Sequence, residues 1–461
     1  MPKKGKKIQV PDPFSKYYTD LQNLQKQLSQ KGKGSPEAQL EPLVRDLLLS
    51  WEEGTEVERE VRILGGRIDL AVKKDGLHVG FVEVKAPGKP LPPYDKSHNP
   101  HDREQWEQFK ELPNLLYTNG SEFALFRSGE KRREAKLPDY ENLKVLLTDF
   151  FNWQPITPKN PRDLAEFLAP ITRFLREDVL KALEEERLQK PQDEEEEIDQ
   201  PFNRLKEEWS RAFFQGADGE QVLSDKVFAD AYAQLMVYGF LLAQMDRPQK
   251  GWSSLEEVLD TLQGEYGVLM EALFASNHPR LLRSIRSSYD LLRRAIAAVD
   301  PGVLKPHGEE DRDPWLYFYE DFLAAYDPEM RRDMGVYYTP VEVVQAMVAM
   351  VDHLLKTKLK REGGLANEKV TILDPAVGTG TFLLGILDRA MKNVSEDGPG
   401  MQSLKATELA KRAYAFEIMI GPYAVAQLRF SRAIKGYGGT LPKGGLRIYL
   451  ADTLEAPTAP P

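Results

Sequence analysis

Cysteine is absent from the 461 residues. Disulfides, thiolate nucleophiles and cysteine-based zinc sites are excluded together. Histidine is scarce. The six histidines (His78, His98, His101, His278, His307 and His353) show no metal-ligand spacing, and the close pair His98 and His101 sits in a proline-rich stretch that reads as solvated. No run of roughly 18 or more apolar residues occurs. The longest candidate, AYAQLMVYGFLLAQM from Ala231, is interrupted by Gln234 and Gln244. The basic start MPKKGKK leads into no apolar core, so a secretory signal is not expected. A soluble, cytoplasmic protein with no membrane partner follows. A GxxxxGK[ST] phosphate loop is also missing, which argues against ATP-driven translocation.

What is present is enough for several cores. Apolar residues make up 41% and charged residues 29%, and this length suggests about three domains. Lys and Arg number 62 against 72 Asp and Glu, a net charge of −10. That balance excludes a surface that coats nucleic acid everywhere but permits a local basic groove. Part of the excess is concentrated in PQDEEEEIDQ, Pro191 to Gln200, which carries six carboxylates and no base and reads as a solvated tether.

Three blocks follow one another without internal repeats. Residues 1–155 show strand-like alternation, residues 156–330 read almost wholly as helices, and residues 331–461 begin a new alternation of strand and helix. The prolines of NWQPITPKNP mark the first boundary. Block one opens with a helix that has Ser35 as N-cap, Pro36 at its first position and Leu40, Leu43, Val44, Leu47, Leu48 and Trp51 at helical spacing. EVRIL, RIDLAVK and LHVGFVEVKA then form an antiparallel meander. The helix DREQWEQFKEL and a second hairpin, NLLYT and SEFALFR, complete it.

Asp69 stands in RIDL, and Glu83 and Lys85 stand in VEVK. Being two apart on a strand, Glu83 and Lys85 project from one face. A three-residue loop, Asp75 to Leu77, pairs Lys74 with His78 and sets Asp69 opposite Glu83. A two-residue loop would turn Asp69 to the wrong face. Two carboxylates and an ammonium at one point suit metal-assisted phosphodiester hydrolysis. Asp69 and Glu83 would hold Mg2+ through oxygen, and Lys85 would position or activate the attacking water. A cross-strand ion pair on a solvated face is the plainer reading of the same residues.

The segment resembles the PD-(D/E)xK nuclease superfamily, with Asp69, Glu83 and Lys85 at its signature positions. The resemblance implies that a glutamate from the preceding helix and a glutamine from the following one join the site. Glu37 or Glu41 is available for the first, with Glu41 the candidate, and Gln105 for the second. The proline expected before Asp69 is missing; Arg67 and Ile68 occupy that place.

Block three contains MGVYYTPVEVVQAMV and VTILDPAVGTGTFLLGIL. The second is an apolar strand running into Asp374, then a loop with Gly378 and Gly380, then a helix. Glycines let the backbone approach a ligand, and an acid at the strand end can receive an ammonium group. These segments resemble the amino-group DNA methyltransferases of the N6-adenine kind. The resemblance implies S-adenosylmethionine as cofactor, with Thr339 near its carboxylate and Asp374, Ala376, Gly378 and Gly380 lining the methionine end. It also implies Glu417 at the ribose hydroxyls and Asp452 at the adenine. Tyr337 and Tyr338 of the same segment read equally as half-buried core residues.

The [DNS]PP[YFW] motif with which such enzymes grip a flipped base is absent. Gln234 and Tyr238 form a QxxxY pattern, read here as helix core. The fold expected is α/β multidomain: a PD-(D/E)xK nuclease domain over 1–155, an all-α spacer over 156–330, and over 331–461 an incomplete Rossmann-like methyltransferase that stops after its third strand. The arrangement resembles type IIG and IIL single-chain restriction-modification proteins. It implies double-stranded DNA as partner, an Mg2+-dependent endonuclease and an adenine-N6 methyltransferase whose remaining portion lies elsewhere. Two alternatives are a regulatory module, in which a remnant S-adenosylmethionine pocket controls the nuclease without methyl transfer, and a small-molecule methyltransferase.

Overall fold

The computed structural model describes residues 13–30, 35–75, 77–155, 157–189, 199–213, 223–249, 251–262, 267–304, 314–333 and 339–454. Tyr337, Tyr338 and most of the acidic segment at 191–200 lie outside the described residues. The chain divides into two compact units, Met1–Pro155 and Ile156–Pro461.

The first unit runs α1 (Pro13–Gln30), α2 (Pro36–Trp51), β1 (Thr55–Ile63), β2 (Gly66–Lys74), β3 (Leu77–Val84), α3 (Pro100–Phe109), β4 (Leu115–Thr118), β5 (Glu122–Arg127), β6 (Glu130–Lys136) and α4 (Tyr140–Phe151). Its six strands form one sheet in sequence order. All neighbours are antiparallel except β3 and β4, which are parallel and joined through α3. The core is built from Leu40, Val44, Leu47 and Leu48 of α2, Leu70, Val72, Val82 and Val84 of the central strands, and Leu143, Leu147 and Phe150 of α4. Truncating one such leucine to alanine costs about 2–5 kcal/mol.

Three features differ from the sequence reading. The first helix is α1, not α2. Its stripe of Phe14, Tyr17, Leu21 and Leu24 is sparse in a polar sequence, yet it is buried, and the Tyr17 hydroxyl donates to the Gly120 carbonyl (3.0 Å). Strand β6, EKRREAK, carries no apolar alternation because it is an edge strand whose charges face water; only Ala135 is buried.

The third difference is the hairpin itself. Lys74 pairs with Leu77 and Lys73 with His78, so the expected pairing of Lys74 with His78 is not formed. The register then shifts, and Val72 pairs with Gly80, Ala71 with Phe81 and Leu70 with Val82. Val79 is an extra residue on β3, a β-bulge. It restores the pairing that the tighter turn would lose, so that Asp69 falls level with Glu83.

The second unit begins with a helical array: α5 (Pro161–Leu188), α6 (Pro201–Phe213), α7 (Asp225–Asp246), α8 (Leu255–Leu262), α9 (Gly267–Ser276), α10 (Pro279–Ser284), α11 (Arg286–Ala297), α12 (Pro314–Tyr326) and α13 (Pro328–Asp333). The apolar run from Ala231 lies in α7, whose interior is buried on all sides, and Gln234 and Tyr238 are buried with it. A helix apolar all round is the middle of a bundle. Among the described residues no helix is long and apolar enough to cross a membrane.

The unit continues with α14 (Val341–Thr357), β7 (Ile372–Asp374), α15 (Thr381–Asn393), α16 (Pro399–Arg412), β8 (Ala413–Glu417), α17 (Ile420–Gly436) and β9 (Arg447–Leu450). The strands form a parallel sheet in the order β7-β8-β9. Their carboxyl ends therefore share one edge, where open α/β sheets hold ligands.

Candidate functional site

In the first unit the chemistry gathers at the carboxyl end of β3. Glu83 and Lys85 are both buried, and Lys85 Nζ lies 3.1 Å from Glu83 Oε1. Gln105, one face of α3, bridges them: its Nε2 donates to Glu83 Oε1 (2.6 Å) and its Oε1 accepts from Lys85 Nζ. Asp69 accepts from the backbone N–H of Val84 (2.6 Å). The structure thus brings Asp69, Glu83, Lys85 and Gln105 together. Glu83 Oε2 is buried and has no hydrogen-bond partner.

Glu41 is placed differently. It is buried one turn deeper in α2 and is held by the Arg59 guanidinium, whose Nη2 donates to it at 3.1 Å. Glu37, nearer the helix N-terminus, reaches the end of β3, where its Oε1 accepts from the Ala86 N–H (3.1 Å).

Burial first, and then the charge of Asp69, pushes Glu83 up to about 8. Burial likewise pushes Asp69 up to about 6 against the lowering pull of the Val84 N–H and Lys85. Two carboxylates that resist ionisation side by side mark a place where positive charge is wanted. Among the described residues no group of three or more His, Asp or Glu side chains is arranged to hold a metal ion.

Two residues that the sequence reading missed complete the cluster. Asp102, one turn before Gln105 on α3, is buried, with its Oδ1 3.6 Å from Lys85 Nζ. Its Oδ2 lies 3.3 Å from Lys89 Nζ. The three-residue spacing of Asp102 and Gln105 on one helix face was the available signal.

In the second unit the sites read from sequence converge at the strand ends. Asp374 closes β7, Glu417 closes β8, and Asp452 follows β9. Asp374 Oδ1 accepts from the Ala376 N–H (3.2 Å) while its Oδ2 is buried without a partner. Glu417 Oε2 accepts from the Gly378 N–H (2.9 Å), and its Oε1 from the Met419 N–H (2.9 Å). Burial raises the pKa of both acids. Asp452 Oδ1 accepts from the Leu454 N–H (2.8 Å), and the adjacent Thr453 hydroxyl donates to the Pro375 carbonyl (3.0 Å).

The glycines differ in what surrounds them. Gly380 has φ +87°, and a Cβ there would press on Ala426 at 3.3 Å. Gly378 has φ +54°, and a Cβ there would meet open space, as expected where a ligand takes the room. Thr339 precedes α14. Val344 packs on Gly385, Arg389 pairs with Asp352 (2.9 Å), and Lys356 donates to Asn393 (2.7 Å), so α14 and α15 run in the same direction. Thr339 therefore lies at the same end as the glycine loop. Arg429 of α17, also missed, donates from Nη1 to the Thr379 carbonyl and to Thr379 Oγ1 (3.0 Å) and locks the loop from behind.

Residues 311–459 match the N-6 DNA methylase family. No curated protein matches the chain. The chain is similar to several solved structures. One is a DrdV–DNA complex, at 20% identity and TM-score 0.42, covering 95% of this chain and 40% of that one. A second is the type ISP restriction-modification enzyme LlaGI with a DNA substrate mimic, at 16% identity and TM-score 0.40, covering 68% and 22%. A third is the type IIG restriction endonuclease BpuSI, at 12% identity and TM-score 0.22, covering 89% and 42%. The chain spans 40% of the length of the first.

Proposed function

We propose that this chain is the nuclease and early methylase portion of a restriction-modification protein. In this reading residues 1–155 form a PD-(D/E)xK endonuclease that cuts unmodified double-stranded DNA with Mg2+. Residues 156–330 are a helical connector, and the methylase portion binds S-adenosylmethionine. Methyl transfer to adenine N6 belongs to the parent architecture and is not expected from this chain alone, which lacks the [DNS]PP[YFW] motif.

The observation that carries the endonuclease is the buried quartet Asp69, Glu83, Lys85 and Gln105, with Glu83 Oε2 left unpartnered. Mg2+ keeps several of its waters and needs only one or two carboxylates, so the pair fits it. Asp69 and Glu83 would hold the ion, which would neutralise charge building on the phosphate. Gln105 fixes the Glu83 carboxylate and the Lys85 ammonium relative to each other, and Lys85 orients the attacking water. The glycine loop fits S-adenosylmethionine through the open side of Gly378 and the free Asp374 oxygen. Asp374, Ala376, Gly378, Gly380 and Thr339 would line its methionine end, with Glu417 and Asp452 toward the nucleoside. The cofactor supplies the methyl group.

The test is cleavage of unmethylated DNA with Mg2+ by the wild type, Glu83→Ala and Lys85→Ala. Cutting by the wild type alone is expected. Equal cutting by all three would remove the assigned site.

A further inference from the structure

Resting on the endonuclease reading, we propose that Lys89 is the group that receives a backbone phosphate of the DNA strand, and that Asp102 positions it. Lys85 is sealed in, with a side chain 4% exposed, and can reach only what already lies inside. Lys89 is the neighbouring ammonium with a water-facing side, its side chain 41% exposed.

Its place is fixed from three directions. The Lys89 N–H donates to the Ala86 carbonyl (3.0 Å), closing a turn in which Gly88 has φ +84°. Its own carbonyl accepts from the Nδ2 of Asn119 (2.7 Å), a buried residue just beyond β4. Its Nζ lies 3.3 Å from Asp102 Oδ2 and 3.5 Å from Glu37 Oε1. The two carboxylate partners are not alike. Asp102 is buried and shared with Lys85 (3.6 Å), so it stays in place, whereas Glu37 is 39% exposed. A solvated ion pair of that kind contributes about 0–1 kcal/mol and can be exchanged for a phosphate oxygen.

Charge favours such a residue. Mg2+ would answer Asp69 and Glu83 in the endonuclease reading, and Glu37 and Asp102 then remain at this end of β3, opposed by Lys85 and Lys89. Without an ammonium at the rim the two remaining acids would oppose the entry of a polyanion. An ammonium at the rim, four residues after Lys85 on the same segment, offsets that repulsion where the strand enters.

The experiment measures binding of a short DNA duplex by the full chain across a salt series, with Ca2+ replacing Mg2+, and cleavage kinetics with Mg2+. Lys89→Gln is expected to weaken binding by about 3- to 10-fold and to reduce the slope of log K against log salt by about one. The larger part of the cleavage loss should lie in KM, and Lys89→Arg should recover it. Asp102→Asn should raise KM as well, and adding it to Lys89→Gln should raise KM no further, because the two act as one unit. An unchanged salt slope for Lys89→Gln, in a protein whose wild type cuts, would overturn the proposal. A wild type that does not cut with Mg2+ would instead overturn the endonuclease reading beneath it.

Discussion

The Asp69 carboxylate accepts a 2.6 Å hydrogen bond from the backbone N–H of Val84, the residue between Glu83 and Lys85. One strand thus grips the next at the point where the next turns both of its charged side chains the same way. That bond fixes Asp69 relative to Glu83 before any ligand arrives, and the buried cost of holding two acids together is what the surroundings must relieve.

This cost has a pH signature. Glu83 is raised from 4.5 to about 8 and Asp69 from 3.8 to about 6. The native state therefore favours their protonated forms, a stabilisation fully present below the unfolded values and lost as pH rises through about 6 and then about 8. Denaturation between about pH 5 and pH 9 should show falling stability, with a much shallower fall in Glu83→Gln. Mg2+ should restore stability at the alkaline end in the wild type and not in the variant.

Alanine at the two loop glycines should separate folding from binding. Gly380→Ala strains a left-handed residue and presses on Ala426, so thermal unfolding should show a loss of about 1–3 kcal/mol. Gly378→Ala meets no protein atom and should lose less stability. Calorimetry with S-adenosylmethionine should nevertheless show the larger affinity loss for Gly378→Ala.

Arg429→Met removes the donor behind Thr379 and takes this bond from its half-buried carbonyl. A lost charge-assisted bond of this kind is worth about 1.5–3 kcal/mol. A lowered melting temperature is expected with weaker S-adenosylmethionine binding, since the loop is freed. Unchanged affinity would show that the loop holds its shape without α17.

Asp352 is buried among the Leu365 N–H, Asn393 Nδ2, Arg389 and Lys356. These contacts fasten α14 to α15 and hold its carboxyl below the usual range despite burial. Asp352→Ala leaves the buried Leu365 N–H without its acceptor, while the part-exposed Arg389 and Lys356 turn to water, and a loss of about 1–3 kcal/mol on denaturation is expected.

Much of the site was legible because strand parity is a local property. Glu83 and Lys85 share a face whatever else the chain does, and the strand–Asp–glycine pattern at Asp374 needs only its own residues to place an acid at a strand end. Residues fixed by tertiary contact were not legible. Glu41 and Glu37 are one turn apart, and which of them reaches β3 depends on Arg59, a strand away. Arg429 reads as a charge in an apolar helix until α17 is laid against the loop. Strand β6 and helix α1 escaped because an edge strand and a thin apolar stripe give little periodicity to read.

The extra residue at Val79 ties the length of one hairpin to the geometry of its far end. Pairing resumes beyond the bulge as if Val79 were absent, so deleting Val79 would leave Val72 opposite Gly80 and Asp69 level with Glu83. Smoothing the bulge out without deleting a residue would instead slip the strand by one and turn Asp69 away from Glu83. Related chains can therefore lose a residue at Val79 without separating the two acids.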